Sequence, residues 1–165
     1  MNEPTDTDLR MMALALEWAR RAFDMGEVPV GAVIYRDQEV LACAHNLRET
    51  TQDPTGHAEM LAIRQAAQKV GSWRLDGLSM AVTLEPCPMC AGALVNARLP
   101  RLVFGATDPK MGCVTSLHKL CDDPRMNHRL QIIPGVMESE CGQVLKDFFK
   151  LRRTTDKPAK PRPAQ

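Results

Sequence analysis

The sequence predicts an α/β fold of three layers, α/β/α, in which a mixed five-stranded sheet lies between helices. Segments with apolar side chains at three- and four-residue spacing alternate with short β-branched runs, in the order α-β-β-α-β-α-β-β-α. The first two strands are close enough in sequence to form a hairpin, whereas helices provide the crossovers between later strands. With 165 residues, 44% of them hydrophobic, the chain is long enough for one domain with one buried core.

Local patterns define each element in turn. The first helix is predicted over residues 9–25, with Thr7 or Asp8 as its cap and Gly26 at its end. Pro134 places the last strand at an edge of the sheet, because proline cannot donate to a strand ladder. The strands are predicted over residues 30–35, 40–44, 78–84, 101–104 and 130–136. The other helices are predicted over residues 57–70, 86–97 and 138–151.

Two longer segments are predicted to be loops. These are residues 47–56 and residues 107–128, the second with one helical turn at 116–121. We expect the folded domain to span residues 1–152. Residues 153–165 are basic and rich in proline, so we expect a disordered tail there.

The charges are unevenly distributed. The net charge is +1, but residues 146–165 carry +5 and the remainder −4. The basic end is either a contact for phosphates or a solvated segment that aids solubility. No apolar run reaches about 18 residues, so no membrane span is predicted. The polar, acidic start lacks the features of a secretory signal, so we expect a cytoplasmic protein whose six cysteines stay reduced.

Two short runs carry the strongest chemical signal, one with His57 and Glu59, the other with Cys87 and Cys90. The two cysteines lie three residues apart at a predicted helix start, so their side chains share one side of its first turn. The positive end of a helix favours the thiolate, which is the form that binds metal. With His57 as the third ligand, a fourth position stays open for water, as in catalytic zinc sites. Glu59 is then left to carry protons.

Parts of this set have other interpretations. The cysteine pair alone also fits a redox pair, or half of a structural zinc site completed by Cys113 or His118. A redox pair does not need His57 and Glu59, and a structural site has no use for a carboxylate at an open position. Taken together, the residues favour one catalytic Zn²⁺ per subunit.

These motifs resemble the signature of the zinc-dependent cytidine/deoxycytidylate deaminase superfamily, His-x-Glu followed by Pro-Cys-x-x-Cys. Within it, the sequence is similar to the bacterial tRNA-specific adenosine deaminases, which convert the wobble adenosine of an anticodon to inosine. The similarity covers about residues 10–152. It rests on residues 28–33, 46, 53–55, 57–59, 83–87, 90–93, 104–106, 108, 110 and 126–129.

The resemblance implies a cytidine deaminase-like fold and hydrolytic deamination by a zinc-activated water. It also implies a homodimer that acts on a tRNA anticodon stem-loop. The implied zinc ligands are His57, Cys87 and Cys90, and the implied proton shuttle is Glu59. The implied contacts with the target nucleotide are Val30, Asn46, Asp108 and Phe149.

The basic residues near these positions are candidate contacts with the RNA backbone, namely Lys110, Arg152 and Arg153. Helical spacing predicts that Phe148 packs in the core and that Phe149 faces outward.

Two other functions share parts of this pattern. A deaminase of free guanine or cytosine compounds would have the same zinc core but would not need the basic C-terminal end. A zinc-stabilised RNA-binding module without catalysis would have no use for Glu59. The sequence therefore favours deamination of an adenine in RNA.

Overall fold

A five-stranded mixed sheet forms the centre of the protein, which confirms the predicted fold class. The computed structural model describes residues 3–155. Strand β1 pairs antiparallel with β2 and β3, and β3, β4 and β5 run parallel to one another. The order β2-β1-β3-β4-β5 places β5 at an edge, as predicted. The strands are β1 (Gly31–Arg36), β2 (Glu39–His45), β3 (Ser79–Leu84), β4 (Arg101–Ala106) and β5 (Gln131–Ile133).

Helices cover both faces of the sheet. They are α1 (Asp6–Asp24), α2 (Arg48–Thr51), α3 (Ala58–Val70), α4 (Pro88–Asn96) and α5 (Glu138–Thr155). Alternate residues of β1 show the layering, since Ile34 packs in the core under α3 and α4 whereas Val33 packs in the core under α1 and α5. Within residues 3–155, no helix combines the length and apolar character needed to cross a bilayer.

Several boundaries differ from the prediction. Helix α1 begins earlier, because Thr5 and not Thr7 or Asp8 is the N-cap. Residues 47–56 contain the short helix α2, and the turn predicted at 116–121 is a 3₁₀ turn at Leu120–Asp122. Helix α5 continues through residues 153–155, which were predicted to belong to the tail. The remaining tail, residues 156–165, lies outside the described residues.

The topology brings the chemically interesting segments to the edge of the sheet that is formed by the ends of the strands, not to either of its outer strands. The parallel strands β3 and β4 end there, with Leu84 paired to Ala106. The start of antiparallel β1 and the end of β2 meet at the same edge, where Gly31 pairs with His45. Helices α3 and α4 also begin there. This edge is where ligands bind in open α/β sheets.

Asp8 is the centre of a buried polar network at the opposite edge. Its carboxylate accepts hydrogen bonds from the Thr5 backbone N–H (2.8 Å), the Tyr35 hydroxyl (3.0 Å) and the Arg101 guanidinium (2.6 Å). Burial alone would raise the pKa of Asp8, but these hydrogen bonds outweigh it and lower the pKa. The network therefore connects α1, β1 and β4.

We expect Asp8→Asn to lower the free energy of unfolding at neutral pH by about 3 kcal/mol, because the change leaves the Arg101 charge without its partner. The folded-state pKa of Asp8 lies below the unfolded value, so its contribution is present above about pH 4. The contribution is lost as the pH falls through the folded-state pKa. Urea unfolding at several pH values should therefore show the two proteins converging in acid.

The matched control is Asp6→Asn, which removes an exposed carboxylate from the same helical turn. It should change the unfolding free energy by no more than about 0.5 kcal/mol. Equal losses in the two variants would mean that the buried network contributes nothing specific.

Candidate active site

Three side chains from two helix starts converge at this edge. His57 and Cys87 are the N-cap residues of α3 and α4, and Cys90 lies in the first turn of α4. His57 Nδ1 lies 3.7 Å from Cys87 Sγ and 3.5 Å from Cys90 Sγ. Tetrahedral zinc, with Zn–N and Zn–S bonds of about 2.0 and 2.3 Å, separates nitrogen and sulfur by about 3.5 Å. The three side chains could therefore hold one metal ion.

The alternatives for the cysteine pair fit less well. Among residues 3–155, the ligand cluster contains His57, Cys87 and Cys90 alone, so neither Cys113 nor His118 completes a four-ligand structural site. All six cysteines are free thiols. A three-ligand cluster is the kind that leaves a position for water.

The two thiols differ in their ionisation. A hydrogen bond from the Cys90 thiol and another with His57 together lower the pKa of Cys87 to about 4, against the effect of burial. The same sulfur–sulfur contact and burial raise the pKa of Cys90. Because thiolates are the ligand form, a metal bound by both sulfurs displaces the remaining proton.

Glu59 is buried in the first turn of α3, with 4% of its surface exposed. Burial raises the pKa of its carboxyl, and the nearby Cys87 thiolate raises it further. A raised pKa makes a carboxylate a better proton acceptor than an exposed one. Glu59 is therefore a candidate general acid–base beside the three possible metal ligands.

A cavity of about 180 Å³ opens in front of these residues. Three of the four predicted nucleotide contacts, Val30, Asn46 and Asp108, line it. His57, Glu59 and Cys87 line it as well. Sequence reasoning missed several other residues that face it. The complete lining is Val28, Val30, Asn46, Arg48, His57, Ala58, Glu59, Leu84, Glu85, Cys87, Asp108 and Met111.

Asn46 is held by the backbone on both sides. Its amide nitrogen donates to the Val28 carbonyl at 3.2 Å, and its amide oxygen accepts from the Arg48 N–H at 3.2 Å. An amide has two donors and two lone pairs, so one donor and one lone pair remain for a ligand. Its conformation is therefore fixed before any ligand arrives.

Arg48 belongs to the short helix α2, which depends on a distant residue. The buried Glu27 carboxylate accepts hydrogen bonds from the N–H groups of Glu49 (3.2 Å) and Thr50 (2.5 Å). Leu47, at the N-cap position, makes no side-chain cap. Glu27 therefore replaces the missing cap and places Arg48 at the cavity wall.

Asp108 also lines the cavity. Its carboxylate accepts from the N–H groups of Lys110 (3.0 Å) and Met111 (3.1 Å), and its own N–H donates to Glu85. Lys110 is exposed and does not line the cavity. Asp108 therefore both faces the cavity and organises the turn after it.

Phe149 lies outside the cavity, in a neighbouring groove of about 390 Å³. It is 45% exposed whereas Phe148 is 4% exposed, as helical spacing predicts. Arg152 and Arg153 line the same groove. Because Val28 and Arg48 line both spaces, the groove adjoins the cavity.

Three side chains that could hold one metal ion lie next to a buried carboxylic acid at this sheet edge, an arrangement suited to metal-dependent hydrolysis. Similarity to known proteins narrows that class. Residues 6–153 match the family model of the MafB19-like deaminases. The chain is 49% identical to a tRNA-specific adenosine deaminase of Bacillus subtilis over 149 residues, 90% of this chain and 92% of the relative.

A second relative is a tRNA-specific adenosine deaminase of Haemophilus influenzae, 44% identical over 93% of this chain and 89% of its own. A structure from studies of A-to-I editing by tRNA:A34 deaminases superposes with a TM-score of 0.79 at 43% identity, over 82% of this chain and 99% of that one. The chain belongs to the tRNA-specific adenosine deaminase family, which confirms the resemblance found in the motifs.

Proposed function

We propose that the protein deaminates adenosine to inosine at the wobble position of a tRNA anticodon. The observation that carries this proposal is the buried Glu59 carboxyl, which shares one cavity with His57 and Cys87 of the three-residue cluster that could hold a metal ion. The relatives named as tRNA-specific adenosine deaminases, at 44–49% identity over about nine-tenths of the chain, support the choice of substrate.

We propose that the metal is Zn²⁺, one ion per subunit, held by His57, Cys87 and Cys90. One nitrogen and two thiolates suit zinc, and the nitrogen–sulfur distances fit tetrahedral coordination. Bound there, zinc would supply a Lewis acid that lowers the pKa of a water at the open position.

In this proposal Glu59 moves the protons of the reaction. It takes a proton from the attacking water as the C6–O bond forms, and it passes this proton to N1 of the adenine. It then carries the second proton to the amine, so that the C6–N bond breaks and ammonia leaves. The raised pKa of Glu59 suits a group that must both gain and lose a proton. Its burial keeps bulk water from competing for that proton.

The cavity residues orient the base. Asn46 has one donor and one lone pair free for the purine edge, and Val30 offers an apolar contact to the ring. Asp108 lines the same cavity and is our proposed contact with the sugar or backbone of the flipped nucleotide. A base in a single-stranded anticodon loop is already largely unpaired, so bringing it into the cavity costs little.

The adjoining groove is our proposed path for the rest of the anticodon loop. Phe149 offers an exposed ring for stacking, and the guanidinium groups of Arg152 and Arg153 offer charge for phosphates. Lys110, which is exposed and lies two residues after Asp108, is a further candidate for a phosphate contact.

We also propose a cytoplasmic homodimer, in line with the resemblance to the family. The deaminase domain in this proposal includes α5, and the basic tail follows it. Light scattering on the full chain tests the dimer by its mass.

The decisive experiment offers the zinc-loaded protein an anticodon stem-loop with adenosine at the wobble position. We expect inosine and ammonia from this RNA. We expect no product from the same stem-loop with the adenosine moved by one nucleotide, or from free adenosine, guanine or cytidine. Ammonia release from the free compounds alone would reject the tRNA proposal and favour a deaminase of free bases or nucleosides.

The salt dependence of RNA binding tests the groove. Each contact with a single-stranded phosphate contributes about 0.7 to the slope of log K against log salt. We expect the double substitution Arg152→Gln and Arg153→Gln to reduce that slope by about 1.4, as measured by fluorescence anisotropy with the stem-loop. An unchanged slope would exclude both residues from the RNA path.

The control for that measurement is Arg74→Gln. Arg74 is an exposed arginine beyond the far end of α3, about 20 Å from His57 by the length of the helix. It should leave the slope unchanged.

A further inference from the structure

Glu85 is a buried carboxylate at the end of β3 that the reaction outlined above does not use. It is 2% exposed, yet it accepts six hydrogen bonds, all from residues between Asp108 and Ser116. We call residues 108–116 the 108–116 loop. Asp108, Val114, Thr115 and Ser116 donate to this carboxylate, and Gly112 packs against it. The loop is therefore organised around a side chain from another element.

The two oxygens of Glu85 hold different parts of the loop. Oε2 accepts from the N–H of Asp108 at 3.0 Å, at the beginning of the loop, and from the Ser116 hydroxyl. Oε1 accepts from the N–H groups of Val114 (3.2 Å), Thr115 (2.7 Å) and Ser116 (2.9 Å), at its end. The carboxylate therefore fixes both ends of the loop at once.

Gly112 allows the loop to close around this carboxylate. A Cβ at this position would lie 2.3 Å from Cδ of Glu85 and 2.6 Å from the carbonyl oxygen of Asp108. Any side chain would therefore push the loop away from Glu85. The tight closure requires a glycine for lack of space.

The segment around Glu85 also connects the 108–116 loop to the three possible metal ligands. Glu85 lies two residues before Cys87, and the intervening Pro86 carbonyl accepts from the Cys113 N–H at 2.9 Å. Asp108 and Met111, from the loop, face the cavity that Cys87 also lines. Glu85 therefore links the position of the cavity wall formed by Asp108 and Met111 to the position of the possible metal ligands.

We propose that Glu85 is a positioning residue for the deamination, which sets the 108–116 loop so that Asp108 contacts the target nucleotide. It acts through Asp108 and not on the reacting atoms. This inference rests on the proposed function, because it takes the cavity wall formed by the 108–116 loop to be a contact surface for the target nucleotide. Six donors converge on one carboxylate, and among residues 3–155 no other side chain accepts hydrogen bonds from both ends of the loop.

The test is Glu85→Gln, which keeps the shape of the side chain but replaces one acceptor oxygen by a donor. One end of the loop then faces an NH₂ group and is released. We expect the KM for the anticodon stem-loop to rise about 10-fold or more, since hydrogen bonds to a charged group are lost. We expect kcat to change little and the metal content not at all, because the loop contributes binding rather than chemistry.

A double-mutant cycle with Asp108→Ala separates positioning from general stability. If Glu85 acts through Asp108, adding Glu85→Gln to Asp108→Ala should raise KM by less than about 2-fold. Effects that multiply in full would mean that the two residues act independently and would overturn the proposal.

Gly112→Ala leaves the Glu85 side chain chemically unchanged, but its added Cβ would collide with that carboxylate and displace the loop, so it should raise KM in the same way. The matched control is Asp123→Asn, which weakens a loop carboxylate bonded to Arg125 outside the cavity and should keep the wild-type KM. Loss of metal or of cooperative unfolding in both Glu85→Gln and Gly112→Ala would assign the contact a structural role only and would overturn the inference.

The outcomes also separate this inference from the proposed function. A wild-type protein that does not convert the stem-loop rejects the function itself. A wild-type protein that converts it, beside a Glu85→Gln variant with unchanged KM, rejects the role of Glu85 alone.

Discussion

Glu59→Ala is expected to lower kcat for wobble-adenosine deamination by about 10²- to 10⁴-fold while the fold and the metal site persist. Glu59 lines the cavity with the cluster but is not one of its three residues. Its removal therefore leaves the ligands in place and takes away the group that moves protons between water, base and amine. Inosine formation under single-turnover conditions measures the loss directly.

Two further variants sharpen this experiment. Glu59→Gln keeps the size of the side chain but carries no ionisable proton, so it should be as inactive as Glu59→Ala. Glu17→Ala removes an exposed carboxylate from α1 and should keep wild-type kcat. Near-normal turnover by Glu59→Gln would mean that another group carries the proton.

The sequence predicts best those elements in which apolar residues recur at a regular spacing over many positions. Helices α1, α3 and α4 and the hairpin of β1 and β2 each carry such a pattern, and the structure places them within a few residues of the prediction. Helix α2 has four residues and buries none of them, so it leaves no period to detect. It exists because of Glu27, more than twenty positions earlier in the chain.

The boundary errors have local causes. The prediction for α1 followed the apolar residues and so began at residue 9, although Thr5 and Asp8 form a capping box in which each side chain bonds the other's backbone. Helix α5 extends past Leu151 through polar residues that offer no apolar signal. There the Thr154 hydroxyl donates to the Leu151 carbonyl within the last turn.

The candidate site likewise has residues that the sequence predicts and residues that it does not. His57, Glu59, Cys87 and Cys90 were predictable because each pair lies within one short motif. The structure brings them together, and all but Cys90 line one cavity. The importance of Glu85 was not visible, because its partners lie 23 to 31 positions later in a loop without periodicity. Long-range hydrogen bonds of this kind leave no pattern in a single sequence.

Cys87→Ser is expected to abolish metal binding at micromolar metal, and activity with it. Serine is a poor zinc ligand beside a thiolate, and the variant retains only His57 and Cys90 as strong ligands. Metal content by atomic absorption measures the first effect independently of turnover. Zinc added after chelation should restore the wild type but not the variant.

Thermodynamic stability gives a second readout that does not involve substrate. A ligand that binds only the folded state stabilises the wild type by about 2.7 kcal/mol when its free concentration is 100 times Kd. Cys87→Ser should lose this zinc-dependent gain. The matched control is Cys43→Ser, another half-buried thiol that lies outside the cluster and should keep both the metal and the gain. Equal zinc stabilisation of the two variants would contradict the assignment of Cys87 as a metal ligand, because the gain would then come from a site elsewhere on the chain.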